Sequence, residues 1–459
     1  MKISKIMAVM IACAALCFNA AATEGEAFDV NGVRYKVTGA NTVKVGKISD
    51  KKKPKGKLEI PQKVQNGGVE YIVNEVDGWG FFGCNELTEL VLPESIEQIG
   101  YFAFSNCEGL QKAVVKSGNA SIKDALFSGC KSLTDVTLAE GLTSLGERAL
   151  EETPITEVKL PSTLKVISGS MFSNCKNLKR VVIPDGVVKI GNYAFSSCDA
   201  LEDVVLPKSL EMIGNNAFSG CKQLNELVLP EGLKRIDGDA FSRCDKFEKL
   251  RLPASLDEVN GNPFMYCNSL KKLEIAEGNP NFKMAGGVVL TGDGTKVVFS
   301  LRFAEIGDYV VPETVTTIGS YAFYNNQKLT SVKMGKNVKY IYGSAFHNCG
   351  NLSKVEMAEG IEEIGTSAFY SCRSLTSVRL PSTLVYVGQN AFDFCTSMEE
   401  VSVDASLANN EQIFTQWVFG FTDSGLQIKV RMPDGKEEIR KVSDLPDPKK
   451  FLFHDEVFR

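Results

Sequence analysis

One position recurs along this chain at intervals of 23 residues, and that period constrains the fold more than any other feature. Cysteine holds it at Cys84, Cys107, Cys130, Cys175, Cys198, Cys221, Cys244, Cys267, Cys349, Cys372 and Cys395. Thr153 and Asn326 occupy two further slots; Cys175 follows Thr153 after 22 residues, and Asn326 lies 59 residues beyond Cys267. Three residues before these thirteen slots stand twelve phenylalanines and Leu150. A fixed period means one supersecondary unit repeated. Each unit then buries its apolar row against its neighbours, so a chain of 459 residues needs no central globular core.

Each unit reads Ile-Gly-x-x-Ala-Phe-x-x-Cys-x-x-Leu-x-x-Val-x-Leu-Pro, as in residues 190–207. Val204 and Leu206 are spaced by two, the period at which alternate side chains of a strand share a face, so one short strand per unit is expected. Pro93, Pro161, Pro184, Pro207, Pro230, Pro253 and Pro381 end that strand where no backbone donor is needed. Gly100, Gly146, Gly191, Gly214, Gly319, Gly365 and Gly388 mark a turn where either crowding or an unusual backbone angle excludes a side chain. The expected fold is a β-rich repeat solenoid of about thirteen coils with one parallel sheet and β caps at both ends.

The flanks divide the chain. Residues 1–22 read as a signal peptide, with Lys2 and Lys5, an apolar run and Ala20-Ala21-Ala22 as a cleavage site. Lipid attachment at Cys13 is a minor alternative, because the residues after it stay apolar. Residues 23–76, with a hairpin signal at Asn31-Gly32, form an N-terminal β cap. The array then runs over 77–276 and 312–404, divided by a projecting hairpin insertion at 277–311 around Gly292-Asp293-Gly294. Residues 405–459 make a C-terminal cap, with a short helix at 411–419 and a hairpin about Asp434-Gly435. After the signal no run approaches the roughly 18 apolar residues of a membrane span. The expectation is therefore an exported chain without a transmembrane segment, at the cell surface or secreted.

Chemistry is sparse. Net charge is −5, which gives no electrostatic reason to expect a nucleic-acid partner. The chain has two histidines, His347 and His454; His347 is expected on the solvent side of its repeat. No phosphate loop or metal-ligand cluster stands out, so neither a cofactor nor a catalytic residue is assigned. The eleven repeat cysteines read as buried free thiols packing as small hydrophobes. A line of single cysteines lacks the clustered tetrahedral ligands zinc requires.

The Ala-Phe pair, the cysteine often preceded by Asn (Asn106, Asn174, Asn348) and the Leu-Pro strand end resemble the BspA-like, or treponemal-type, leucine-rich repeat of bacterial exported and surface proteins. The resemblance implies a non-catalytic role in adhesion or protein binding, with host extracellular-matrix or cell-surface proteins as partners and a glycan as a second option. A secreted polysaccharide-acting enzyme or accessory protein, and a periplasmic structural protein without a ligand, are the alternatives. Two exposed groups are candidate binding residues. The outward column of the strand holds Val91, Val114, Val182, Val205 and Val228, broken by Thr137 and Lys159, and then turns charged at Arg251, Glu274, Lys333 and Glu356; contiguous exposed apolar area tends to mark contact sites. The last four coils carry a tyrosine group, in which Tyr324 and Tyr370 share one column and Tyr340 and Tyr386 another.

Overall fold

The computed structural model describes residues 22–46, 53–410, 413–420 and 425–445. The signal-peptide reading and Cys13 therefore lie outside the described residues. The chain forms two units, residues 1–210 and 211–459, and each is a β-solenoid built from the same coil.

The coil is set by backbone conformation at two positions, five residues and one residue before the cysteine slot. In the first unit Trp79, Phe102, Ala125, Arg148, Ser170 and Tyr193 take φ between 53° and 59° at the first of these, and Asn106, Glu152, Asn174 and Ser197 take φ between 55° and 60° at the second. Asn216, Asp239, Tyr321, Ser344, Ser367 and Asn390, with Arg243, Tyr266, Asn325, Asn348, Ser371 and Phe394, repeat the pattern in the second unit. A left-handed L-residue costs about 1 kcal/mol or more. The offset is visible in the hydrogen bonds. Trp79, Phe81 and Gly83 donate their N–H groups to the carbonyls of Tyr101, Ala103 and Ser105 at 2.8, 2.9 and 2.9 Å. With a left-handed residue at each end of this segment, alternate N–H groups face the next coil, so this turn ridge is tied to its neighbour much as a strand would be.

Two rows of parallel strands run along the coils, where the sequence reading expected one, with gaps at 154–160 and 224–229 in the first row and at 142–146 in the second. The first row is the anticipated strand, as in Leu87–Leu92, Lys112–Val115 and Asp135–Leu138. The second is made of two-residue strands such as Gln98–Ile99 and Glu363–Ile364, which contain the Ile of the Ile-Gly pair, and Ser121–Ile122, where Lys123 stands in place of that glycine. The glycine after that Ile is required by crowding and not by an unusual angle: a Cβ on Gly365 would lie 2.5 Å from the backbone nitrogen of Gly343 in the preceding coil.

Inside the coils the phenylalanine rings stack. Phe81 and Phe104 lie 4.9 Å apart at 4°, and Phe323, Phe346, Phe369 and Phe392 follow one another at 4.9, 4.9 and 5.1 Å. Each fully buried ring contributes roughly 1.5–3 kcal/mol relative to an exposed one. Beside them the thiols form a second ladder by donating to carbonyls of the preceding coil, Cys107 to Phe81 at 3.2 Å, Cys349 to Phe323 at 3.0 Å, Cys372 to Phe346 at 3.2 Å and, where leucine holds the ring slot, Cys175 to Leu150 at 3.1 Å.

The irregular segments join the rows instead of standing apart from them. Near the N-terminus, Thr42–Val45 and Val69–Val76 run parallel and lead into Gln98–Ile99, while Gly56–Glu59 pairs with Leu87–Leu92. Two lysines of this N-terminal segment are paired, Lys44 with Asp77 at 3.2 Å and Lys55 with Glu86 at 2.8 Å. The 277–311 segment does not project. Its strands Phe282–Ala285, Val288–Thr291 and Lys296–Ser300 pair antiparallel, but the last also pairs parallel with Thr317–Ile318. Val288, Val289, Val297 and Phe299 are buried, which a projecting flap would not allow. This segment has no phenylalanine ridge, and Asn326 replaces cysteine next to it: its Nδ2 donates to Leu301 O at 2.9 Å and its Oδ1 accepts from Lys328 and Leu329. Beyond 404 the expected 411–419 helix is absent from the described part; a short helix, Ala405–Ala408, and a 3-10 turn, Gln416–Val418, are found instead. Asn390 and Phe392 donate to the carbonyls of Trp417 and Val418 at 2.6 and 2.9 Å, so this segment takes the place of the next ridge. Gln427–Arg431 and Glu437–Lys441 pair antiparallel after it.

Burial pushes the Cys175 thiol up to about 11 and those of Cys267, Cys349 and Cys395 to about 12, and the thiolate is the reactive form. A chromogenic thiol reagent should therefore leave residues 23–459 unmodified at neutral pH in the native state and titrate all eleven cysteines in denaturant. Rapid modification of the native protein would contradict the buried ladder.

Candidate binding surface

In the first unit the strand row places Val182 and Val205 directly abreast, 48% and 42% exposed. The Arg180–Asp203 ion pair, 2.8 Å, borders them. Val114 is half-buried. Val91 is only 7% exposed, because it has a strand on each side, with Glu59 and Val114 abreast of it. In the second unit Val228 is 84% exposed. The charged continuation of the column is laddered in the same register, Arg251 beside Glu274 and Lys333 beside Glu356. Exposed pairs of this kind contribute little to stability.

The tyrosines divide between two surfaces of the second unit. Tyr340 and Tyr386 lie in the second strand row, with Glu363 in register between them, and Tyr340 stacks on Tyr342 at 6.1 Å. Tyr324 and Tyr370 lie on the turn ridge. Between them stands His347, which the sequence reading placed on the solvent side. It is half-buried, its ring 5.0 Å from Tyr324 at 17° and 4.6 Å from Tyr370 at 10°. Two further rings extend the column: Tyr266, whose hydroxyl meets that of Tyr324 at 2.7 Å, and Phe394, 5.2 Å from Tyr370. Tyr321 packs 5.7 Å from Tyr324 on the flank, and the Arg243 guanidinium lies 5.3 Å from the Tyr266 ring centre. Tyr266 and Phe394 escaped the sequence reading because they lie one residue further along the repeat than the tyrosine slot, and His347 because it was taken as a solvent-side variant. The slot rule could have found His347, since it shares its slot with Tyr324 and Tyr370.

Burial lowers the His347 pKa, and its Nδ1 has no hydrogen-bond partner. Burial also raises Tyr324, an effect its hydrogen bond to Tyr266 reinforces. A neutral imidazole wedged between two rings fills the stack. Among the described residues no group of three His, Cys, Asp or Glu side chains is placed to hold a metal ion, and no helix is long and apolar enough to cross a membrane. What the described surface offers is contact: a valine pair on a strand row and an aromatic column on a turn ridge.

Comparison with known proteins matches the family described as BspA type leucine rich repeat region over residues 63–179, 167–284 and 298–417. No curated protein matches the sequence. Among solved structures, a leucine rich cell surface protein from Faecalibacterium prausnitzii A2-165 is 21% identical with a TM-score of 0.54, covering 90% of this chain and 96% of its own. A leucine-rich repeat protein from Bacteroides ovatus ATCC 8483 is 24% identical with a TM-score of 0.47, covering 88% of this chain and 99% of its own. The pneumococcal vaccine antigen PcpA is 18% identical with a TM-score of 0.47, covering 89% and 94%.

Because burial holds the native His347 pKa below the unfolded value of about 6.5, the unfolded chain takes up this proton first as pH falls. Stability should therefore decline as pH drops through about 6.5 and stop declining, for this group, below its native pKa. Thermal melts at about pH 7.5 and about pH 5.5 should show a smaller acid shift for His347→Tyr than for the wild type. Equal shifts would mean that His347 is not the group responsible.

Proposed function

The chain belongs to the BspA-type leucine-rich repeat family, and from that premise we propose that it is an exported, non-catalytic binding protein. It acts in adhesion, with a protein on a host or neighbouring cell, or in extracellular matrix, as its ligand. The first 22 residues, read as a signal peptide, and the cell-surface description of the Faecalibacterium prausnitzii protein of similar fold support the exported location.

The observation that carries the binding reading is the valine pair. A β-branched residue favours a strand whether or not it is exposed, so valine alone decides nothing. Val182 and Val205, however, expose nearly half of their surface side by side in one register. Covering apolar area is worth about 25 cal/mol per Å², and buried apolar cores are where interface energy concentrates. The chemical inventory supports a non-catalytic role: the thiols are buried, burial holds that of Cys349 up at about 12, and His347 is held between two rings.

The test is a binding screen of residues 23–459 against arrayed matrix proteins and glycans, run beside a V182S/V205S/V228S variant. A protein ligand bound by the wild type should be bound about tenfold more weakly by the variant. All three side chains are exposed, so the variant should keep its melting temperature. Unchanged affinity would remove the strand row from the contact surface.

A further inference from the structure

We infer that the turn ridge of the last four coils is a docking strip for an extended, uncharged peptide segment of a partner protein. This rests on the binding role proposed above but assigns it to a different surface.

Three observations carry it. The first is composition. Ridge segments 319–326, 342–349, 365–372 and 388–395 contain one charged residue, Asp393, and it is buried. What they present is Tyr321, Tyr324, Ser344, His347, Ser367, Tyr370, Asn390 and Phe394, with His347 kept neutral by burial. Tyrosine with serine and asparagine is the chemistry of antibody paratopes: aromatics give contact area at low entropic cost, and the small polar residues adapt. Elsewhere the ridge carries charge, as at Lys123, Asp124, Glu147, Arg148, Glu151 and Glu152 in the first unit and Asp237, Asp239 and Arg243 in the second, and Arg243 borders the strip at Tyr266. A strip without charge suits a partner segment without charge, since a charged one would lose water and gain no counter-ion.

The second observation is pre-stacking. Tyr266, Tyr324, His347, Tyr370 and Phe394 follow one another at 5.8, 5.0, 4.6 and 5.2 Å. Rings already fixed by their neighbours lose little rotamer freedom on binding. Stacking also separates peptide from sugar. A sugar packs on an open ring face, but the faces of Tyr324, His347 and Tyr370 are turned to one another at 17° and 10°. Their edges and hydroxyls remain, and those suit backbone amides and apolar side chains. The third observation is length: a stripe of roughly 20 Å matches about six extended residues at ~3.3 Å each.

A displayed library of random peptides, selected on immobilised residues 23–459, tests this. Two variants run beside the wild type. In Y324S/H347S/Y370S each residue becomes the serine that Ser105, Ser128, Ser196 and Ser219 already carry in that slot, so the backbone accommodates it. Y321S alters only the exposed flank and guards against misfolding of the first. The expected result is enrichment of uncharged peptides rich in apolar and aromatic residues. They should bind Y324S/H347S/Y370S about tenfold more weakly and Y321S several-fold more weakly. Their affinity should change by less than about twofold between about 0.05 and about 0.5 M salt. No enrichment, a charged consensus, or equal binding to both variants overturns the assignment. Peptides lost only on V182S/V205S/V228S would leave the binding role standing and sink the ridge, whereas glycan-array binding abolished by Y324S/H347S/Y370S would replace the peptide with a sugar.

Discussion

The structure depends on one constraint, that every coil must present the same backbone to the next. Two left-handed residues per coil satisfy it by turning alternate N–H groups of the ridge outward, as Trp79, Phe81 and Gly83 do toward Tyr101, Ala103 and Ser105. Once that register exists, whatever occupies a given slot is stacked on its counterpart about 5 Å away. Inside, this stacks phenylalanines and lines up the thiols on the carbonyls of the previous coil. Outside, the same geometry turns Tyr324, His347 and Tyr370 into a column. The core and the candidate surface are products of one repeat.

That shared origin explains the division of labour among residues. Inward slots tolerate almost no variation, because a ring missing from the stack leaves a cavity between two coils. Outward slots are free, and the chain uses them differently along its length: charged residues and valines in the first unit, and in the last four coils an aromatic ridge without exposed charge beside laddered strand charges. In a repeat protein, recognition is written in the slots that packing does not need. The thiols belong to the inward set, and burial keeps them unreactive.

Much of this was legible in the sequence because periodicity is a count. The phenylalanine and cysteine slots, the first strand row and the buried free thiols follow from spacing alone. The second strand row did not, because a two-residue strand leaves no alternation to read; only the Ile before each glycine marks it. Gly365 shows the same limit, since its need for a bare Cα comes from Gly343 one coil away and not from its own backbone angle. The 277–311 segment was misplaced because its apolar runs fit a free hairpin as well as a strand of the ladder, and only Asn326, the one outlying slot residue beside it, hinted at a joined coil. At the candidate surface, the valine column was legible as alternation, but the burial of Val91 comes from a strand outside the repeat. The aromatic column was half legible: Tyr324 and Tyr370 were visible, and His347 between them was read as a solvent-side variant of the repeat.

The account stands on the claim that stacking between coils supplies the stability of each unit. Phe346, held between Phe323 and Phe369 at 4.9 Å on both sides, is the residue on which to test it. Chemical denaturation of Phe346→Ala against the wild type is the direct measurement. The predicted result is a loss of roughly 3–5 kcal/mol in unfolding free energy. A loss below about 1 kcal/mol, the range of an ordinary surface substitution, would contradict the account.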